Sequence, residues 1–545
     1  MEKKENPKLN RRNFIKGMAV GAAGMAGGNL VSAHAAGKSA ETTRAPASLI
    51  PTSWDKEAEV VVLGYGGSGI VAAISAADGG AGTVLALEKS PVSGGCTKIS
   101  DCNVTAPKKV ESMVAYLKDT IAQTGVSDAV IRAVSEETYK NPEWLASMGI
   151  KFRVGDRVMS EFPAASGQTD MTTGNPSGSN AKNAATKGAH GGVMCDALVE
   201  QAEARGVKVL YNTSAKELIQ NPETREIIGV RAEQDGKKIV VKAGKAVVLC
   251  TGPFDFNDEM VRNYLRPYPM KFAGWKFNTG DGIPMASQVG ARLWHMNGIC
   301  GYYCPWFEEG KAGYLIFGAR KPSWMYCDKY GKRFADESKL MEHNFWKHMT
   351  EIDETGLGFS RNPGWIVCDE TARKAGPLAS SYTSWLPEGL GGAPEFSNDN
   401  SAEIAKGWII KGETLKELAE KTGMDADNLK AEIDQINKAV AENAPDRFGR
   451  ASKGFMGVIG AWDAGPYYAM RLYTGAISTM GGPERNEKGQ VVGYDGRPIP
   501  RLYEAGVMGS IWGDHYGPAG ANVGISVLAG GRIAGRNAAA EHPWQ

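Results

Sequence analysis

Apolar and polar positions along the chain fall into a few short, sharply bounded runs. Glu59-Val60-Val61-Val62-Leu63 has no polar interruption after its first residue, which predicts a strand buried on both faces. An alanine-rich helical stretch over residues 70–77 follows at once, and a second apolar run, Val84-Leu85-Ala86-Leu87, predicts the next strand. Two further buried-strand runs stand far downstream, Ala246-Val247-Val248-Leu249 and Leu502-Tyr503-Glu504, the latter followed by a glycine-rich loop and a helix from about residue 525 to 540. Glu413-Thr414-Leu415-Lys416-Glu417-Leu418-Ala419 places its apolar residues three and four apart, so a helix with its Glu and Lys side chains in solvent is expected there. Strands alternating with helices in this order predict an α/β chain.

Composition sharpens that picture. At 545 residues, 42% hydrophobic and 23% charged, the chain is globular and long enough for several domains, which excludes a disordered or coiled-coil protein. Its 69 glycines are near twice the usual share, pointing to many sharp turns or close backbone approaches. Eight cysteines, without a Cys-x-x-Cys pair, leave neither a haem attachment motif nor a metal framework to expect. Arg11-Arg12 precedes a glycine-rich, weakly apolar stretch and Ala33-His34-Ala35, the form of a twin-arginine export signal over residues 1–35. Cleavage there removes six bases and two acids and moves the formal charge from +1 to −3, so no nucleic-acid partner is expected. No stretch approaches 18 uninterrupted apolar residues, so no membrane span is expected, and the mature protein is expected to be periplasmic or otherwise extracytoplasmic. Residues 36–56 read as a linker.

The candidate chemistry starts directly after the first strand. Gly64-Tyr65-Gly66-Gly67-Ser68-Gly69 has the Gly-x-Gly-x-x-Gly spacing: Gly64 for the tight turn, Gly66 for backbone approach to a pyrophosphate, Gly69 for helix-on-strand packing. Glu88 ends the second strand nineteen residues after Gly69, where a carboxylate binds a ribose diol, and Lys89 follows it. Strand, glycines, helix, strand and acid in this order predict a dinucleotide site, although the spacing alone does not separate NAD from FAD.

The rest of the chain carries a resemblance that does separate them. Gly94-Gly95-Cys96-Thr97, Thr251-Gly252, Thr279-Gly280-Asp281-Gly282, Gly465-Pro466-Tyr467-Tyr468-Ala469, Thr479-Met480-Gly481-Gly482 and Leu502-Tyr503-Glu504-Ala505-Gly506 resemble, in order, the motifs of the FAD-dependent fumarate reductase and succinate dehydrogenase flavoprotein family. The resemblance implies a doubly wound, Rossmann-like FAD-binding domain (57–290 and 446–545) interrupted by an α+β capping domain (291–445). It implies that Ala505, Gly506, Asn522 and Val523, besides the residues quoted from the glycine motifs, border the cofactor. Cys96 stands where membrane-bound relatives have a flavin-linked histidine, so non-covalent FAD is expected.

The expected active site departs from that family. Eight residues after Arg333 of the Gly331-Lys332-Arg333-Phe334 turn, where an arginine acid belongs, stands Met341; Ser478 and Tyr302 fall where the family has histidines, and Phe317 where it has a glutamate, while Arg320 is kept. A site lacking those charges is expected to take fumarate poorly. A dense aromatic run between Tyr302 and Trp346 suggests a flat or apolar substrate beside a cap core. The His515-Tyr516-Gly517-Pro518 loop resembles that of ketosteroid dehydrogenases. Tyr516, Arg320, His515 and Tyr302 are therefore the candidate catalytic residues. Hydride transfer from flavin to an activated carbon–carbon double bond is the expected reaction; a cyclic-ketone dehydrogenase and a flavin electron carrier without turnover are the alternatives. With no haem or iron–sulfur motif, the electrons are expected from outside, from a cytochrome or a membrane quinol dehydrogenase.

Overall fold

The structure, a computed structural model, describes residues 50–155, 162–177, 190–316, 318–339, 343–356, 358–381, 383–384, 386, 389–453, 458–513, 515–518 and 520–544. The expected export signal over residues 1–35 lies outside the described residues, as do Phe317 and Met341.

The first apolar run is the end of a strand, Lys56–Leu63. It pairs in parallel with Val84–Leu87 on one side and Lys237–Leu249 on the other, and the outer neighbours Lys208–Leu210 and Pro498–Glu504 are parallel too. An antiparallel ladder, Thr213–Gln220 and Ile227–Gln234, extends from Lys237–Leu249. Alternation along the first strand divides its side chains between two cores. Val60 and Val62 pack against Ile70 and Ile74 of the helix Gly67–Asp78, Leu198 of the helix His190–Ala204 and Ala534 near the C-terminus. Val61 and Leu63 pack with Leu218, Ile227 and Val230 of the ladder. With both faces covered, an uninterrupted apolar run is what such a strand requires.

A second, six-stranded sheet is built on one thirteen-residue strand, Tyr467–Thr479. Its first half lies between Gly364–Asp369 and Ile409–Gly412, its second half between Ile299–Cys304 and Lys271–Phe272, and Trp324–Cys327 extends the sheet beyond Gly364–Asp369. The crossing is close: a Cβ at Gly475 would lie 2.2 Å from both Cys304 Cβ and the Lys271 carbonyl oxygen, which only glycine avoids. Much of the aromatic run turns into this sheet's core. Tyr303, Trp324 and Tyr326 are fully buried, with ring centroids 5.0 Å apart for Tyr303–Tyr326 and 5.2 Å for Trp324–Tyr326. Phe307 stacks on Trp408 at 4.6 Å. Those rings are packing, not lining, which corrects the weight the sequence reading put on the run as a whole. The helix Leu415–Thr422 forms as expected: Thr414 caps it through the Glu417 N–H, Leu418 and Ala419 are buried, and Glu417 pairs with Lys421 in solvent.

Arg333 of the Gly-Lys-Arg-Phe turn has a structural role. Its guanidinium, buried like its partners, bonds Glu337 at 2.5 and 2.9 Å and Asp446 at 2.7 Å, and Arg450 lies 3.4 Å from the same glutamate. Removing the central anion leaves two buried cations facing each other. Glu337→Gln is therefore expected to lower unfolding stability by about 3–5 kcal/mol, read as a shifted urea midpoint. A change below about 1 kcal/mol, the range of an exposed pair, would show that the network is not held as described.

Candidate functional site

The glycines of the first turn divide into two kinds. Gly64 has φ +92, and a Cβ there would lie 2.3 Å from the Cys250 oxygen; a Cβ at Gly69 would lie 2.0 Å from the Gly64 oxygen. Both are required by the fold itself. Gly66 has φ −71, and a Cβ would meet nothing nearer than 3.9 Å. Its missing side chain serves a space, not a neighbour. That space is a cleft lined by Gly64, Gly66, Gly67 and Ser68, at the start of a helix that has no side-chain cap and no acid in its first turn. An uncapped helix N-terminus opening on a cleft is an anion site, and a pyrophosphate fits it.

The other walls are the expected ones. Glu88 accepts from the Tyr65 and Ser90 backbone N–H groups, each at 2.7 Å, which fixes its carboxylate at the cleft edge; burial raises its pKa. Lys89 donates to Thr279 Oγ1 at 2.5 Å and to Asp281 Oδ2 at 2.8 Å across the cleft. Gly95, Cys96, Thr97, Thr251 and Gly252 complete this side. Gly94, Ala505 and Gly506 stand behind the lining: the Gly94 N–H donates to the Tyr65 oxygen, the Ala505 N–H to the Leu249 oxygen, and Gly506 has φ +110. Asn522 and Val523 open the last helical segment, whose wide π-turns run to Ala529 and bring Val527 into the cleft. Thr213, Ala215, Trp275, Phe277, Asn278 and Val507 also line it and carried no local sequence signal. Asn278 is aimed by a buried acid: its Nδ2 donates to Asp255 Oδ2 at 3.0 Å, while the Thr479 N–H donates to Asp255 Oδ1 at 2.7 Å. Burial pushes the Asp255 carboxyl up to about 7 despite these donors. The Cys96 thiol is pushed up to about 12, first by burial and then by the neighbouring Asp255.

From Cys96 a chain of contacts leads to the candidate catalytic residues. Cys96 Sγ lies 4.0 Å from the Ile477 oxygen, and the next residue, Ser478, accepts from Asn522 Nδ2 at 3.4 Å. The Asn522 N–H donates to the Tyr516 hydroxyl oxygen at 3.0 Å. Tyr516 is buried, and its ring centroid lies 4.6 Å from that of His343, which in turn lies 5.1 Å from Tyr302. Asn344 holds the Tyr516 backbone twice, accepting from its N–H at 3.0 Å and donating to its oxygen at 3.2 Å. His515 takes a bond from Lys347 Nζ to Nδ1 at 2.6 Å and packs on Phe162. The structure thus brings Tyr302, Tyr516 and His515 to one region, together with His343 and Asn344, which the sequence reading missed. Arg320 is not among them. It is exposed beside Gly376, and no hydrogen bond or ion pair joins it to the others among the described residues.

Three features fit FAD: the uncapped helix start, the open space at Gly66, and the buried Asn522 Oδ1, which finds no partner among the described residues. Among those residues no cluster of His, Cys, Asp or Glu could hold a metal ion, and no helix is long and apolar enough to cross a membrane.

Fold and cleft together define a dinucleotide-binding flavoprotein. The family model described as FAD binding domain matches residues 59–526, and the chain belongs to that family; FAD is its cofactor. It is 28% identical over 497 residues to the NADH:fumarate oxidoreductase of Klebsiella pneumoniae, covering 89% of this chain and 48% of that one, so it spans about half of that relative's length. It is 28% identical to the urocanate reductase of Eggerthella lenta, with 90% of this chain and 76% of that one covered. Among solved structures, the 3-ketosteroid Δ1-dehydrogenase of Sterolibacterium denitrificans has the same fold, with a TM-score of 0.76 at 23% identity over 89% of this chain and 100% of that one.

The two kinds of glycine make a direct test. Gly66→Val is expected to abolish FAD retention, measured as flavin released on acid precipitation, while the apoprotein melts within a degree or two of native. Gly69→Val is expected to destabilise the fold itself. Full FAD retention by Gly66→Val would contradict the placement of the pyrophosphate.

Proposed function

We propose that the protein is an exported, FAD-dependent reductase of an activated carbon–carbon double bond, an enone or a mono-anionic unsaturated acid of aromatic or apolar character, with fumarate a poor substrate. The observation that carries this reading is the Tyr302–His343–Tyr516 group joined through Asn522 and Ser478 to the cofactor cleft. On this reading the rings and hydroxyls of Tyr302 and Tyr516 border the substrate. A site so furnished leaves a second carboxylate of fumarate without a partner, at a cost of several kcal/mol.

Reduced FAD, when bound, supplies the hydride. Tyr516 holds the proton: its oxygen accepts the Asn522 N–H, which stabilises the charge left on that oxygen when its proton leaves for the α carbon of the substrate. Tyr302 faces the same imidazole from the second sheet and bounds the ring pocket. The lobe 291–445 caps this pocket and keeps water from it. The raised Cys96 thiol is a poor nucleophile, which supports non-covalent FAD. The cyclic-ketone dehydrogenase reading uses the same residues with the proton and hydride moving the other way. Electrons come from an external donor, a cytochrome or a membrane quinol dehydrogenase, after export by the twin-arginine route.

In anaerobic assays with reduced viologen and an aromatic acrylate, Tyr516→Phe is expected to cut turnover by about 10²–10⁴-fold while FAD stays bound, and NADH is expected not to replace the viologen. Native activity in Tyr516→Phe would remove the phenol from the mechanism; bleaching of the oxidised flavin by a saturated cyclic ketone would favour the reverse reaction.

A further inference from the structure

We propose that Asp255 fixes the polarity that Asn278 shows to the cofactor: it draws the amide NH2 of Asn278 inward and leaves the amide oxygen facing the cleft, to accept a hydrogen bond from a hydroxyl or N–H of bound FAD. The inference rests on the placement of FAD in this cleft. Both side chains are enclosed, with Asn278 5% and Asp255 4% exposed. Asp255 is held by the end of the strand Tyr467–Thr479, whose last N–H donates to Oδ1 at 2.7 Å; the other carboxylate oxygen, Oδ2, takes Asn278 Nδ2 at 3.0 Å. An ionised carboxylate only accepts, so the amide must meet it with nitrogen.

The far side of the amide is then determined. The Asn278 side chain also hydrogen-bonds the Cys96 thiol, which works against the rise that burial imposes on that thiol. That leaves Oδ1. A Cβ at Gly252 would lie 3.0 Å from it, so the oxygen is turned toward Gly252, and both residues line the cleft. Among the described residues none donates to this oxygen. An amide oxygen so enclosed has given up hydrogen bonding to bulk water, and a ligand donor restores it.

The arrangement depends on the charge of Asp255. Once protonated, its O–H can donate to Asn278 Oδ1, and the amide turns to present NH2 to the cleft, where two donors then face each other. No cation pairs with Asp255 among the described residues, and burial lifts it to about 7. The titratable group packed against it is Cys96, with Cys300 behind; Glu88, Lys89 and Asp281 stand elsewhere along the cleft. FAD binding favours the carboxylate, so affinity is full above that pH and falls below it.

The test reads FAD affinity, with no turnover involved. Holoprotein is diluted at pH values on both sides of the Asp255 titration, and the FAD that leaves is measured by the fluorescence it regains in solution. Native protein is expected to hold FAD about tenfold more weakly on the acid side, the worth of one hydrogen bond. Asn278→Leu, which keeps the volume and loses the acceptor, is expected to be weakened by a similar factor on the alkaline side. In Asp255→Asn the new amide donates to Asn278 Oδ1 at every pH, so affinity is expected to be low and flat across the range. A pair that only packs would leave the pH profile of Asp255→Asn native. That result, native FAD affinity in folded Asn278→Leu, or a flat profile in native protein would overturn the proposal. If Gly66→Val loses FAD while these variants keep it, the inference about the amide alone fails; if Gly66→Val keeps FAD, the placement of the cofactor fails first.

Discussion

The strand Tyr467–Thr479 is the constraint on which the rest depends. Its first half is a central member of the second sheet, and its last three residues reach the cofactor cleft: Ile477 beside Cys96, Ser478 bonded to Asn522, Thr479 bonded to Asp255. The Thr479 hydroxyl also accepts the Phe254 N–H at 2.9 Å. Because Asp255 in turn aims Asn278 into the cleft, the register of this one strand sets both the second sheet and a wall of the flavin site. A slip of one residue would turn every side chain to the other face. Pairing on both sides along both halves makes that slip costly.

Among the described residues, the site at the far end of this strand presents phenol, imidazole and amide groups, with Lys347 bonded to His515. The buried acids nearby are already engaged: Asp255 by Thr479 and Asn278, Glu504 by Arg485. Burial raises both, to about 7 and about 8, so neither is a ready counter-charge or a fixed anion near neutral pH. In such low-dielectric surroundings an unpaired carboxylate on a ligand is expensive, while a polarised carbonyl facing phenol and amide donors is favoured.

What the sequence revealed was local. Val60 to Leu63, the glycines at 64, 66 and 69, and Glu88 lie within thirty residues, and their hydrophobic period and spacing read directly as strand, turn, helix and strand. The fold class and the cofactor followed from these and from the ordered later motifs. What stayed hidden depends on contacts between distant segments. Trp275 and Asn278 sit in a stretch with no periodic signal, and His343 meets Tyr516 only because Asn344 is bonded to a backbone 172 residues away. The aromatic run misled for a related reason. Tyr302 and Tyr303 are neighbours on one strand, yet alternation sends Tyr302 toward His343 and Tyr303 into the core with Tyr326. Composition alone could not tell these two faces apart. Arg320 shows the converse, since a matching position in a motif does not ensure that the side chain turns inward.

The most direct measurement is flavin reoxidation. Protein reduced anaerobically with dithionite, freed of excess reductant and mixed with an aromatic acrylate or with fumarate, reports hydride transfer as recovery of the oxidised flavin absorbance, with no electron donor to confuse the rate. The account predicts rapid recovery with the acrylate and recovery at least about tenfold slower with fumarate, a difference of about 1.4 kcal/mol or more in barrier. Reoxidation by fumarate at an equal or greater rate, or a protein that carries no flavin to reduce, would contradict it.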